Sequence, residues 1–218
     1  MIVEALRTVP DWEALASRLG CSLPEARAQV RSYLHSRLPP ASGTVKAAGF
    51  TARIQHDAWG VPHIFGADEP SAYCGLGLAM GLDRFWQMDY LRRLGSGTLA
   101  EVLGPGSLAN DRLHRTLNLR RTAAEVVRGY EPETRACVDA FCVGVNRARE
   151  VLLEQGLPFE FELLDYTPAE WSPVDTETVL RVFWWQLTGR FFFLSVPEHS
   201  RRILGSGPLL EALLTPEG

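Results

Sequence analysis

An excess of charge of one sign, a long apolar run, a paired-cysteine motif and a metal-binding histidine spacing are all missing from this 218-residue chain. Its 22 Lys and Arg against 26 Asp and Glu leave a net charge of -4, and no basic run carries interleaved aromatics, so nothing marks a nucleic-acid surface. No apolar stretch approaches the roughly 20 residues of a membrane span. The nearest, residues 179–186, is interrupted by Arg181. Cys21, Cys74, Cys137 and Cys142 contain no CxxC pair. Cys137 and Cys142 would stand about 140° apart on a helix, a poor geometry for a bridge or a metal, so free and mostly buried thiols are expected. The five histidines form no HExxH, Gly75-Leu76-Gly77 runs on to Gly81 as GxGxxxG rather than GxGxxG, and no GxSxG is present. A zincin helix, a dinucleotide fingerprint and a nucleophile elbow are thereby set aside. The N-terminus carries Glu4 and Asp11 and no sustained apolar core, so it does not read as a secretory signal. A cytoplasmic protein is expected from the sequence as written, or a periplasmic or secreted one if a leader has been removed.

What is present is the pattern of a mostly helical α+β chain, 46% hydrophobic and 22% charged. Asp11 caps a short amphipathic helix ended by Gly20, and Ser22-Leu23-Pro24-Glu25 opens a second helix running to about Leu38. Pro39-Pro40-Ala41-Ser42-Gly43 is a breaker, so residues 1–43 read as a helical extension with its linker and 44–218 as the main unit. Val45, Phe50, Ala52 and Ile54 alternate as a strand before Gly60-Val61-Pro62, and His63 and Ile64 start another. One long helix follows from about Ser71 to Leu94, capped at Asp68 or Ser71, then a short one at Thr98–Leu103. Residues 122–154 are helical with a break near Gly129–Pro132, and 157–175 are turn-rich. Ser172, Pro173 and Asp175 have the order of an N-cap, N1 and first-turn acid opening a further helix. That helix and the segment after it carry a dense aromatic group, Phe183, Trp184, Trp185 and Phe191–Phe193, which suits a core or a pocket wall.

The long helix is the organising element. With Met80 at the centre of a stripe, Tyr73, Leu76, Leu91 and Leu94 fall within about 40° of it at 100° per residue, together with Arg84 and Gln87 and with Asp83 at the edge. Leu78, Leu82 and Phe85 form a second apolar patch on the other side. Both faces are therefore expected to be buried, with Asp83, Arg84 and Gln87 in a polar network, since unpaired polar groups there would be costly. Gly75, Gly77 and Gly81 read as sites of close helix packing.

Several segments together resemble a known family. DAWGVPHI at 57–64, YCGLGLAMGLDRFWQMD at 73–89, Arg92-Arg93, GTLAEVLG at 97–104, Asp111, GVN at 144–146, LPFEF at 157–161 and WSPVD at 171–175 are similar, in that order, to the α chain of the penicillin acylases, which are N-terminal-nucleophile amide hydrolases. The resemblance spans about residues 52–204. It implies an α chain that wraps a β chain from the same precursor to complete an αββα four-layer sandwich. It further implies that the β chain's N-terminal Ser attacks an N-acyl substrate such as a β-lactam side chain or an N-acyl homoserine lactone, forming an acyl-enzyme. A terminal amine with a pKa of about 8 suits the base in such a site. No catalytic residue is then expected in the present chain.

Two roles carry over from the resemblance. Counting without gaps from Trp171 places the acyl-pocket positions at Trp184 and Thr188, with Trp185 and Leu187 between them. The family's single calcium takes one α-chain Glu; the same count lands on Leu194, and four inserted residues within GRFFFLSVP would move the role to Glu198. No organic cofactor is implied. The chain departs from the family pattern at Leu82, at His56 and in its extension over 1–43. Two other readings of the residues remain: a non-catalytic helical binding or regulatory protein on the same scaffold, and a metal hydrolase using His56, Asp57 and His63.

Overall fold

The computed structural model describes residues 2–36, 43–47, 49–188, 190–205, 207–208 and 210–211, with backbone alone at 43–47 and 190–194. Three short helices come first: α1 (Ile2–Thr8), α2 (Trp12–Leu19) and α3 (Leu23–His35). Asp11 accepts from the Ala14 amide at 2.8 Å, Gly20 closes α2 at φ 67°, and Ser22 and Glu25 form a capping box at the head of α3. The helix ends at His35, and of the linker expected at 39–43 only Gly43, the first residue of a strand, lies within the described residues. Ala5, Leu15 and Val30 give this unit a small core of its own. Arg7 ties it to the main body by donating to the Leu163 carbonyl at 3.0 Å and to the Glu162 carbonyl.

The region read as one strand before Gly60 is two: β1 (Gly43–Ala47) and β2 (Phe50–His56), joined through Gly49 at φ 88°. With β3 (Pro62–Gly66) they make an antiparallel sheet of order β1-β2-β3, in which Ala52 and Ile54 point into the core. The β2–β3 turn is organised by Asp57, whose carboxylate accepts from the Trp59 and Val61 amides at 2.9 and 3.0 Å and contacts His63 Nε2 at 3.2 Å. Those bonds hold the Asp57 carboxyl below its usual range, the Val61 amide first and His63 after it.

The long helix is α4 (Glu69–Ser96), capped by Asp68 on the Ser71 amide at 2.7 Å and closed by Gly97 at φ 65°. It bends at Arg84, whose backbone leaves the helical region at φ -147°, ψ 33°. After α5 (Ala100–Leu103), α6 (Leu108–Leu117) and α7 (Leu119–Arg128) comes the second long helix, α8 (Pro132–Gln155). The turn-rich segment contains one more helix, α9 (Phe159–Leu164), which precedes α10 (Pro173–Thr188) and α11 (Arg190–Leu204).

The core lies where α4 crosses α8, around Phe85, Met88, Phe141, Val145, Phe161 and Trp171. The crossing is close because each helix turns a glycine to the other. A Cβ on Gly77 would collide with the Phe141 carbonyl, and one on Gly144 with the Cys74 carbonyl. The glycines therefore serve packing, as their spacing predicts.

The orientation of α4 differs from expectation on one side. Leu78 and Phe85 are buried, but the stripe centred on Met80 is buried only at its far end, at Leu94: Tyr73 and Leu76 are exposed and Met80 and Leu91 are half-buried. Asp83, Arg84 and Gln87 are likewise exposed, with no hydrogen bond or ion pair among the described residues. The buried polar network is one turn further on. Asp89, fully buried, binds Arg92 Nε at 2.6 Å, Arg93 Nε at 3.0 Å and the Tyr166 hydroxyl at 2.7 Å. The physical reason is that a 100° wheel finds the stripes without saying which of them meets the rest of the chain: Asp89 and Arg92 lie on the Leu78 and Phe85 side, opposite Met80, while Tyr73, Leu76 and Asp83 precede the bend and still face outward.

Candidate functional site

Helix α10 is the element that presents the predicted pocket residues, and its N-terminus is anchored on every side. Asp175 sits at N3 and accepts from the Ser172 amide and hydroxyl at 2.9 and 2.7 Å, as the Ser-Pro-x-Asp order predicts. The same carboxylate is only 6% exposed and meets Arg120 at 2.6 Å and Arg92 at 3.7 Å, joining α10 to α7 and α4. Trp171 and Asn146 exchange two hydrogen bonds, Trp171 N to Oδ1 at 2.7 Å and Nδ2 to Trp171 O at 2.9 Å. The indole Nε1 then donates to Thr176 Oγ1 at 2.9 Å. The inner side of α10 packs through Thr178 and Val182, both fully buried, against Gly95 of α4. Glu177, also buried, accepts from Tyr130 at 2.6 Å and from Arg181 at 2.8 Å. Burial, and then the Glu177 carboxylate, push the Tyr130 phenol upward.

The outer side of α10 is apolar and uncovered. Leu180 is 44%, Phe183 41%, Trp184 58% and Leu187 82% exposed, values far outside those of a core helix. Trp184 carries the Arg181 guanidinium 4.6 Å from its ring, and Thr188 Oγ1 donates to the Trp184 carbonyl at 2.6 Å. Trp184, Leu187 and Thr188 therefore share one outward face, whereas Trp185 is turned about 100° from Trp184 and is half-buried. The core reading of these aromatics fails for Phe183 and Trp184; the side chains of Phe191–Phe193 lie outside the described residues.

This face continues across to α4. Between the two helices lies a cleft of about 250 Å3, walled by Met80, Leu91, Val179 and Leu180 and bordered by Arg84 and Gln87. Two of the three polar residues singled out on α4, Arg84 and Gln87, thus share this cleft with Leu180 and Phe183 of α10, while Asp83 is exposed outside its lining. Nothing in a single-helix projection indicates this, because the relation depends on how α4 and α10 pack.

A metal finds little here. Glu198 is exposed and accepts from Arg201 at 2.9 Å and Arg202 at 3.1 Å, contacts that lower its pKa, Arg202 first. Among the described residues no three His, Cys, Asp or Glu side chains converge on a metal position. The arrangement of His56, Asp57 and His63 therefore gives the zinc reading no support, and Glu198 belongs to no such group either. All four thiols are free; Cys74 and Cys142 are buried, and burial raises the Cys142 thiol to about 12.

Residues 51–205 match the penicillin amidase family. The chain belongs to that family. It is 35% identical over 155 residues to the penicillin acylase 2 proenzyme of Pseudomonas sp. strain SE83, covering 69% of this chain and 20% of that protein. It is also 35% identical over 155 residues to the acyl-homoserine lactone acylase QuiP of Pseudomonas aeruginosa, covering 68% of this chain and 18% of the relative. The chain thus spans about a fifth of the length of these relatives. In fold it is similar to a chain of the thermostable penicillin G acylase of Alcaligenes faecalis, with a TM-score of 0.63 at 24% identity over 78% of this chain and 93% of the other. The match begins at residue 51, so α1–α3 lie outside it.

Proposed function

We propose that this penicillin amidase family chain is the α portion of a heterodimeric acylase that cleaves linear amides of N-acyl compounds. The observation that carries the reading is the open apolar face of α10 and α4, where Leu187 stands exposed beside Trp184 and Thr188, the two positions at which counting from Trp171 puts the acyl pocket. An uncovered surface of this kind marks an interaction site. A β chain from the same precursor covers it, and the β chain's N-terminal Ser attacks the amide carbonyl with its own α-amine as base. The present chain contributes a wall: the acyl tail leaves water against Trp184 and its neighbours, which orients the carbonyl toward the nucleophile and gives chain-length preference. The amine-side portion and the oxyanion donors belong to the other chain. Glu198 would contribute one calcium ligand only after releasing Arg201 and Arg202.

The test is expression of the whole gene followed by intact-mass measurement and acyl profiling. Two chains are expected, the larger beginning with Ser, with release of carboxylate from acyl homoserine lactones or acylated β-lactams. A single unprocessed chain without hydrolysis would overturn the proposal in favour of a binding protein on the same scaffold. Trp184→Ala should shift preference toward longer acyl groups. Because the ring is 58% exposed in the α portion alone, the melting temperature of the isolated chain should hardly move. A loss of about 3–5 kcal/mol instead would return Trp184 to a core role.

A further inference from the structure

We infer that the cleft beside Arg84 is a socket for one apolar side chain and an adjacent carboxylate of the downstream chain of the same precursor, an inference that rests on the heterodimer reading above. Its walls, Met80 and Leu91 on α4 and Val179 and Leu180 on α10, are apolar and open to the outside. At about 250 Å3 it is smaller than the roughly 300–1,000 Å3 usual for small-molecule sites and suits a single large side chain. Arg84 and Gln87 stand at its border, exposed and without a hydrogen bond or ion pair among the described residues; neighbouring Asp83 does not neutralise Arg84. A guanidinium presents a planar fork of donors matched to a carboxylate, and an amide can add one donor more.

The backbone supports the same assignment. Helix α4 bends at Arg84 with no proline nearby and with Gly81 three residues away, so no local helix breaker dictates the bend. The polar residues at and after the bend fall into two groups: Asp89 and Arg92 enter the buried network, while Arg84 and Gln87 border the cleft. The occupant follows from length and charge. About four-fifths of each curated relative lies beyond the part matched here, and a lone cationic fork over an apolar cleft is complementary to an acid next to a large apolar side chain.

The experiment uses the whole gene, affinity-tagged on the present chain, with Arg84→Glu and Leu180→Gln made separately. Both positions are exposed in the isolated 218-residue chain, whose melting temperature should stay within about 2 °C of the parent for either variant. Recovery of the second chain on the tag should fall at least about ten-fold for each, the size of one lost buried interfacial contact. A screen of Asp→Arg and Glu→Arg changes in the second chain should yield one that restores recovery with Arg84→Glu, and it identifies the carboxylate. Parent-level recovery with both variants would overturn the socket while leaving the heterodimer intact. So would a dimer of the isolated chain that the same substitutions dissolve, since the occupant would then be a second copy. No second chain in the parent preparation would overturn both readings.

Discussion

The closeness of α4 and α8 can be measured by adding one methyl group. In Gly77→Ala the new Cβ would stand 3.0 Å from the Phe141 carbonyl carbon and 3.1 Å from the Val145 amide nitrogen, with the Phe141 carbonyl oxygen nearer still; ordinary contact begins at 3.4 Å. All three atoms are backbone, so no side chain can swing aside and the two helices must separate over the centre of the core. Overpacking of this kind costs about 1–3 kcal/mol and sometimes more. Alanine regains about 1 kcal/mol of helix propensity, so the local preference and the packing oppose each other. Packing should win, because separating the helices also loosens Phe85, Phe141 and Val145, which pack at the same crossing. A net loss of about 2 kcal/mol corresponds to a fall of about 4–8 °C in melting temperature for a chain of this size. Differential scanning calorimetry of the purified chain is the assay. Gly106→Ala, where an added Cβ meets nothing within 4 Å, is the control and should be neutral. A Gly77→Ala protein as stable as the parent would refute the close crossing as the reason for these glycines.

Three further outcomes follow from the geometry. Asp175→Asn leaves Arg120 and Arg92 facing a neutral amide at the buried start of α10; removing one member of a buried charge cluster should cost about 3 kcal/mol in urea unfolding, and a cost under about 1 kcal/mol would mean the pairs are solvated. The Asp57 carboxyl is held below its unfolded value, so its contribution is present above about pH 4 and is lost as pH falls through the folded pKa. The Val61 amide resonance should accordingly shift in that acid window and stay fixed above it, and a shift centred above pH 5 would refute the assignment to Asp57. Cys142, buried and pushed up to about 12, should resist iodoacetamide at pH 8 in the folded chain and react once urea exposes it; rapid labelling of the folded protein, read by peptide mass spectrometry, would contradict its burial.

Much of the local structure was written in the order of residues. The caps at Asp11, Ser22 and Asp68, the stop at Gly97 and the Ser-Pro-x-Asp start of α10 are short-range hydrogen-bonding devices, and each forms as its sequence dictates. The family, too, was legible, because motifs from Asp57 to Asp175 occur in a specific order. Element boundaries that depend on pairing were less so: β1 and β2 read as one strand until Gly49 turns the chain, and α9 was hidden in a segment rich in turn residues.

The side of α4 that faces water belongs to a different level. Periodicity assigns residues to a stripe, but it cannot say whether the stripe meets another part of the same chain. The buried charges are therefore Asp89 and Arg92, on the Leu78 and Phe85 side of α4, with Asp175 of α10, rather than Asp83 and Arg84, which stand exposed on the other side. The sequence alone determined the helices, their caps and the family. Tertiary packing decided which face α8 buries and which face, with Trp184 and Arg84 on it, is left open, because burial is a property of neighbours and not of spacing.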